Sequence, residues 1–492
     1  MRAVYISWIW VLFAYNVTAQ NIFTKKFTPL QMKEEAALLK NIVEANHPSL
    51  YWHITKDHFD SAYQQVVNSI TVDLNENDYR NKLALWLNEI KCGHTVVRYA
   101  KRTAKKIQQS KTPQFPLLIK VWADSMVVYG SLNKQDTLFK KGTIITAING
   151  KSCRQIIDSI FPYISTDGHS INHKNQVLSN SFGFWYTSVF GADSNYLIQY
   201  IDRNHLPQTA QINSYKAATK LPAKKSTDTV QLKQEPGLSK KAMKLLTQRS
   251  LKIDTVKSIA TMRLNTFTGS NLKEFFSKSF EQINQLSIQH LIIDLRSNGG
   301  GRVSNSTALT QYIINHYFKI ADSVVANSRN IRYGRYIRPF IFNWLALKIF
   351  SKKLQDGKMH FNMLEKREYL PKNKNWYKGK VYLLQGGNTF SASTMFIGAL
   401  KGQSNVTVVG EETGGGSYGN SAMLIPSIVL PHSRLRISLP LYRVVLNKGG
   451  EKGRGIMPDV LAPPSSNAIA EGRDVKIEKV YEMIKNRKLI EN

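Results

Sequence analysis

A serine at the junction of a predicted strand and a predicted helix is the feature of this sequence best suited to chemistry. Residues 381–416 read VYLLQGGNTFSASTMFIGALKGQSNVTVVGEETGGG, and Ser391-Ala392-Ser393 opens the helical pattern. A hydroxyl placed there lies beside the free N–H groups of a helix N-terminus, which favour negative charge. A nucleophile whose attack creates an oxyanion needs such a position. A serine is also an ordinary helix N-cap, so both interpretations stay open at this point.

A second glycine-rich turn lies upstream of the serine. Residues 291–301, LIIDLRSNGGG, read as a buried strand followed by three glycines. Glycines after a strand let backbone N–H groups approach a ligand closely. A sharp turn in a crossover connection and a phosphate-binding loop are the alternatives, and no Walker lysine follows to support the second.

These two elements, with VVGEETGGG at residues 408–416, resemble the motifs of the C-terminal processing, or tail-specific, serine proteases. In that family the nucleophile heads an S-A-S/T turn before a helix. The matching position is Ser391, and Ser393 is the competing hydroxyl. The resemblance covers most of the chain. It implies a serine endopeptidase that hydrolyses peptide bonds of a protein or peptide substrate through an acyl-enzyme, with no metal or nucleotide cofactor.

The resemblance implies a histidine rather than a lysine as general base. The best-known branch of the family has its lysine at the position of Gly416, so a Ser-Lys pair is not supported there. Residues 92–95, CGHT, instead resemble the D-G-H-T element of the branch that includes tricorn and interphotoreceptor retinoid-binding protein. That match implies His94 as the base, and imidazole titrates near neutral pH. The looser match of residues 451–459 to E-x-x-G-V-x-P-D implies that Glu451 orients His94.

The same resemblance implies an oxyanion hole made of backbone N–H groups, from Gly299 or Gly300 together with Ala392. Simpler interpretations exist for the other two site residues. His94 could compensate the dipole at a helix C-terminus, and Glu451 could form a solvated ion pair. The alternative function is a non-catalytic protein that keeps the protease fold and binds peptides or apolar ligands.

The organisation predicted around these motifs is an α/β, multidomain α+β protein. From Ser258 onward strands and helices alternate, which favours a core with parallel strands. The resemblance adds a helical N-terminal region, a PDZ-like β-rich segment and a protease core of the crotonase-like or ClpP-like type. The predicted boundaries are a signal peptide at 1–19, a helical domain at 20–110, a PDZ-like domain at 111–215, a basic linker at 216–257, the protease core at 258–470 with an insertion at about 320–378, and a C-terminal helix at 471–492.

The N-terminus and the charge bear on location and partners. Arg2, an apolar run from Ala3 to Tyr15, and Val17-Thr18-Ala19 predict a cleaved signal peptide, hence a periplasmic or extracellular protein of bacterial type. A formal net charge of +33 allows association with an anionic cell-envelope surface. We expect no nucleic-acid partner, because no nucleic-acid motif is present. The oligomeric state is left open.

Three further features are left open. His169 and His173, with Asp167, could hold a metal, but they lack a convincing third ligand, so polar surface residues are the simpler interpretation. The basic and aromatic stretch at 329–344 could contact a membrane or an acidic segment, or be an ordinary insertion packed on the core. Cys92 and Cys153 could pair in an oxidising compartment.

Overall fold

The computed structural model describes residues 22–110, 113–202, 204–216, 239–269 and 271–491. The predicted signal peptide lies outside these residues. Among them, no helix is both long and apolar enough to cross a membrane. The α-helices of the described residues are, in chain order, α1 Pro29–Asn46, α2 Lys56–Asn68, α3 Glu76–Leu87, α4 Lys101–Gln109, α5 Cys153–Ile160, α6 Ile171–Asn180, α7 Phe182–Phe190, α8 Lys240–Gln248, α9 Leu272–Gln285, α10 Val303–Thr310, α11 Phe340–Phe350, α12 Asn362–Lys366, α13 Ala392–Leu400, α14 Ser466–Glu471 and α15 Val475–Glu491.

The β-strands belong to several separate sheets. In chain order they are β1 Lys26–Phe27, β2 Leu74–Asn75, β3 Val97–Arg98, β4 Leu117–Trp122, β5 Ser125–Ser131, β6 Ile144–Ile148, β7 Lys151–Ser152, β8 Asn195–Ile201, β9 Pro207–Asn213, β10 Arg249–Asp254, β11 Ile259–Leu264, β12 His290–Asp294, β13 Phe318–Lys319, β14 Ser323–Ala326, β15 Ile337–Arg338, β16 Lys352–Lys353, β17 Met359–His360, β18 Glu368–Tyr369, β19 Lys380–Gln385, β20 Val406–Gly410, β21 Gly419–Ala422, β22 Ser427–Val429, β23 Arg436–Ser438, β24 Tyr442–Val445 and β25 Val460–Leu461. The protein is therefore a mixed α/β molecule, as the sequence predicts.

The sheet that carries the serine turn has six strands in the order β10-β11-β12-β19-β20-β25. β11, β12, β19, β20 and β25 are parallel, and β10 is an antiparallel edge strand. Apolar residues of α9, α10 and α13 cover one face, and Val480 and Ile484 of α15 cover the other. The central strands β12, β19 and β20 are buried on both faces, which explains their continuous apolar runs. Because β12 and β19 are adjacent, the glycine turn and the serine turn leave the sheet side by side.

Residues 113–216 form an antiparallel sheet, β4-β5-β6-β8-β9, packed on α5, α6 and α7. A hairpin turn lies within this sheet, where Asn149 and Gly150 join β6 to β7 with φ of 49° and 76°. Both turn positions therefore have the left-handed backbone that this pair of residues favours.

The insertion does not pack mainly on the parallel sheet. Its strands β14, β16 and β17 pair with one another and with β24, and apolar residues of the insertion share one core with the N-terminal helices. β3, from the N-terminal region, also pairs with β23. Strand pairing and one shared core therefore join three segments that are distant in sequence.

Two local predictions differ from the structure. β10 lies inside the predicted linker, where it pairs with β11 along its whole length, so the sheet begins earlier than expected. His94 does not directly follow an α-helix: α3 stops at Leu87, a short 3-10 turn follows, and Lys91 takes the left-handed conformation with φ of 55°. Gly93 lies against Phe390, whose ring a Cβ on Gly93 would approach to 2.6 Å.

Candidate active site

Ser391 lies at the sharp turn between β19 and α13, in a backbone conformation that serine rarely adopts. It is the residue directly before α13, with φ of 55° and ψ of −122°. Its side chain does not cap the helix, so the N-cap interpretation of its hydroxyl is not supported. A non-glycine residue in such a region costs on the order of 1–3 kcal/mol and is held there by its surroundings. Strain of this kind keeps a nucleophilic side chain presented above the end of a sheet.

Ser393 occupies a different environment. It is fully buried in the first turn of α13, and its hydroxyl has no hydrogen-bond partner among the described residues. A substrate therefore cannot reach Ser393 as the protein stands, whereas Ser391 is partly exposed.

The glycine turn after β12 packs directly against Ser391. Gly300 has φ of +100°, and a Cβ there would lie 2.7 Å from the Cβ of Ser391 and 2.8 Å from the carbonyl oxygen of Phe390. Asn298 joins the two turns: its carbonyl accepts from the N–H of Phe390 at 3.2 Å, and its side-chain oxygen accepts from the N–H of Gly300 at 3.0 Å. Glycine is therefore required at Gly300 both for conformation and for space.

The predicted oxyanion donors differ in availability. The N–H of Gly300 is engaged by Asn298. Gly299 is exposed, with open space where its Cβ would be, and no hydrogen bond from its N–H is recorded in the described part of the chain. Ala392 begins α13, and its nitrogen would be 3.0 Å from a Cβ on Gly300. Gly299 and Ala392 are thus the better placed pair.

His94 reaches the site from the N-terminal region. Its ring packs against Phe390, the residue before Ser391, with centroids 4.8 Å apart. His173 stacks on Phe390 with centroids 4.9 Å apart and hydrogen-bonds through Nδ1 to the carbonyl of Gly387 at 2.9 Å. No hydrogen bond between His94 and the Ser391 hydroxyl is recorded among the described residues.

The carboxylate beside His94 is that of Asp167. Oδ1 of Asp167 lies 4.0 Å from Nδ1 of His94, longer than a hydrogen bond, and accepts from the N–H of Gly93 at 2.8 Å. Glu451 is exposed, and its recorded hydrogen bond is made by its backbone carbonyl, which accepts from the Ser417 hydroxyl at 3.0 Å. The orienting role of Glu451 stays a prediction, because its carboxylate is not among the recorded contacts of His94.

Burial shifts the pKa of both His94 and Asp167. It lowers the pKa of His94 to about 4, and the neighbouring His173 acts in the same direction. It raises the pKa of Asp167 to about 7, against the opposing effect of hydrogen bonds from the N–H groups of Gly93 and Gly416. The ring of His94 is therefore neutral near pH 7, the state in which a ring nitrogen can accept a proton.

One interpretation of the sequence was that Asp167 binds a metal together with His169 and His173. Among the described residues, Asp167 instead clusters with Cys92 and His94. The role of Asp167 beside His94 was missed because the loops around residues 92 and 167 are distant in sequence. They are joined by backbone hydrogen bonds such as Gly168 N–H to the Lys91 carbonyl at 2.9 Å. Both cysteines are buried and unpaired.

Comparison with known proteins identifies a family for the segment that carries the serine turn. The profile of peptidase family S41 matches residues 258–462. No curated protein matches the sequence significantly. The fold is similar to that of mature CPAF complexed with lactacystin, with a TM-score of 0.67, 12% identity, and coverage of 93% of this chain and 98% of that chain.

One further solved structure is similar in fold. A second structure of mature CPAF gives a TM-score of 0.65 at 10% identity, with 93% of this chain and 98% of that chain covered. The photosystem II D1 C-terminal processing protease is also matched, with a TM-score of 0.40, 12% identity, and coverage of 89% of this chain and 94% of that chain. Residues 258–462 contain both the glycine turn and the serine turn. This chain carries a domain of peptidase family S41, a family of serine peptidases.

Proposed function

We propose that this protein is an exported serine endopeptidase of the tail-specific type, in which Ser391 attacks the scissile carbonyl and forms an acyl-enzyme. The observation that carries the proposal is the strained turn at Ser391, with φ of 55°, held against Gly300 inside a peptidase S41 domain. A strained, partly exposed serine beside unengaged backbone N–H groups has the features that acyl transfer requires.

His94 is the proposed general base. Its neutral ring can take the proton of the Ser391 hydroxyl through Nε2 and return it to the leaving amine. This requires the ring proton to be on Nδ1, which faces Asp167. A movement of about 1 Å would shorten that 4.0 Å separation to hydrogen-bond length. Asp167 is therefore the carboxylate that the geometry favours for orienting His94, and Glu451 is the carboxylate that the family resemblance favours.

The N–H groups of Gly299 and Ala392 are the proposed oxyanion donors. The first is exposed at the glycine turn, and the second is at the start of α13, where the helix dipole adds to its effect. The antiparallel sheet at 113–216 is the proposed PDZ-like domain. Its edge strand β9 is mostly exposed, so an extended peptide could add to it by backbone pairing.

Export to the periplasm or the extracellular space is part of the proposal, and it is supported by the signal-like residues 1–19. Association with an anionic cell-envelope surface is supported by the net charge of +33 and by α11. The outer side of α11 is apolar and open: Ile341 is 74% exposed, Phe342 66% and Ile349 64%. Exposed apolar side chains beside basic ones are the features of a surface that rests on anionic lipid.

A serine-directed phosphonate probe tests the function. We expect the purified protein to hydrolyse an unstructured protein substrate and to be labelled at Ser391, as located by peptide mass spectrometry. Ser391→Ala should lose both labelling and hydrolysis while its thermal unfolding stays cooperative. Ser393→Ala is the matched control and should keep both. A protein that binds peptides but is neither labelled nor able to hydrolyse them would be the non-catalytic alternative.

A further inference from the structure

Three side chains that can bind a metal meet beside the proposed base. The Sγ of Cys92, a ring nitrogen of His94 and a carboxylate oxygen of Asp167 all lie within 4.8 Å of one another. The ligand atoms of a tetrahedral zinc site lie roughly 3.3–3.7 Å apart. Small side-chain rotations would therefore bring all three atoms to coordinating distance of one ion.

Two atoms of this cluster are buried without a partner. Nδ1 of His94 and Oδ2 of Asp167 have no hydrogen bond among the described residues. Buried polar atoms almost always have a hydrogen-bond partner. A buried polar atom that lacks one therefore needs an explanation, such as a bound ion or water. A cation bound between them would satisfy both atoms at once.

A small cavity adjoins the cluster. It has a volume of about 10 Å³ and is lined by Cys92 and Asp167 together with His53 and Lys91. Such a volume is close to the minimum that holds one water molecule, the usual fourth ligand when a protein supplies three. The ammonium of Lys91 would repel a cation, but it is paired with Glu89 at 3.4 Å.

We propose that Cys92, His94 and Asp167 form a binding site for a thiophilic divalent cation, best matched by Zn²⁺, and that the bound cation inhibits the peptidase. Thiolate, imidazole and carboxylate are the ligands that zinc takes in proteins. Binding releases the thiol proton of Cys92 to solvent. A metal on Nδ1 leaves the ring proton of His94 on Nε2, where no lone pair then remains to accept the proton of Ser391. The inhibitory role rests on the proposed function, whereas the binding site does not.

Cobalt titration of the purified full chain tests the site, in the presence of a non-chelating reductant. The sequence has two cysteines, so a thiolate-to-cobalt absorption band must come from Cys92 or Cys153. We expect a band that saturates at one Co²⁺ per chain, is displaced by Zn²⁺, disappears in Cys92→Ser and persists in Cys153→Ser, the other buried cysteine. His94→Ala is a second variant and should weaken Co²⁺ binding on the order of tenfold or more. No band in the parent protein, or a band unchanged in Cys92→Ser or His94→Ala, would overturn the site.

Hydrolysis measured on the same samples tests the inhibitory role. One equivalent of Zn²⁺ should reduce the rate on the order of tenfold or more, and a chelator should restore it. A zinc-loaded protein that hydrolyses at the full rate would overturn inhibition while the cobalt band still established the site. A protein that shows the band but hydrolyses nothing in either state would contradict the proposed function instead.

Discussion

At the residue scale, Asp167 and Glu451 are the two candidates for one proposed role, which is to hold a proton on Nδ1 of His94. Asp167 has the distance in its favour, at 4.0 Å, and its side chain is buried beside a largely buried histidine ring. Glu451 is exposed, and its recorded hydrogen bond among the described residues is made by its backbone carbonyl. A buried carboxylate orients an imidazole more rigidly than a solvated one, so the burial of Asp167 is a second reason to favour it.

Paired amide substitutions decide between the two carboxylates. Asp167→Asn should lower kcat by up to about 10⁴-fold, because an amide can stabilise the wrong tautomer of the imidazole. Glu451→Gln should change kcat by only a few-fold, because its carboxylate is solvated. Steady-state kinetics with one peptide substrate checks both, and KM should change little in either variant. A large loss in Glu451→Gln beside a near-normal Asp167→Asn would restore the role that the family resemblance implies for Glu451.

At the scale of secondary-structure elements, the glycine turn after β12 and the start of α13 determine where the site residues lie. The sequence predicted the strand and helix on either side of the serine turn, because long apolar runs and a small-residue turn are strong local signals. It could not predict that Gly300, rather than Gly299, packs against Ser391, since both are glycines in one triple. Nor could it predict Asp167, whose approach to His94 depends on contacts between distant loops.

A matched pair of alanine substitutions tests the glycine turn. Gly300→Ala should destabilise the protein by about 1–3 kcal/mol, because its Cβ would lie 2.7 Å from the Cβ of Ser391. Gly299→Ala should stay within about 0.5 kcal/mol of the parent protein, since nothing lies within 4 Å of its Cβ. Urea unfolding of both variants measures the difference. Equal stability of the two would show that the serine turn and the glycine turn are not in contact.

His47 joins the end of α1 to the segment that carries His94. Its Nδ1 accepts from the N–H of Ser49 at 3.3 Å, and its Nε2 lies 3.1 Å from the hydroxyl of Thr95. Nδ1 is an acceptor here, so Nε2 carries the proton and the ring is neutral. Burial lowers the pKa of His47 to about 3.

This lowered pKa predicts acid sensitivity. The unfolded chain binds a proton at the ordinary histidine pKa of about 6.5, whereas the folded chain resists protonation until about pH 3. The stability due to neutral His47 is therefore complete above pH 6.5 and is lost as pH falls, at up to about 1.4 kcal/mol per pH unit. His47→Gln should flatten the pH dependence of the free energy of unfolding in that window. His316→Gln, at an exposed histidine, is the control, and an equal slope in all three proteins would contradict the prediction.

Three distant segments fold together at the scale of the whole molecule. The N-terminal helices, the insertion and residues 422–444 share one core, and β3 pairs with β23. Sequence patterns report local periodicity and not which apolar faces meet, so the insertion could be recognised but its packing partner could not. This shared core brings His94 to the edge of the parallel sheet.

Among the described residues, this packing leaves the outer side of α11 uncovered. Asn343, Ala346 and Leu347 face inward, whereas Ile341, Phe342, Trp344, Leu345, Ile349 and Phe350 are exposed. Lys348, Lys352 and Lys353 lie within or directly after the helix. An apolar surface bordered by ammonium groups gains from both lipid burial and attraction to anionic headgroups.

Vesicle binding tests this surface. The protein should co-sediment with phosphatidylglycerol vesicles at low salt and much less with neutral phosphatidylcholine vesicles, because each basic residue near an anionic surface contributes about 1 kcal/mol. Replacing Ile341, Phe342 and Ile349 together with serine should lower the bound fraction at every salt concentration. Serine at Leu206, Val256 and Leu461 removes similar exposed apolar area elsewhere and should leave binding unchanged. No loss in the α11 triple variant would mean that general charge, and not α11, holds the protein on the membrane.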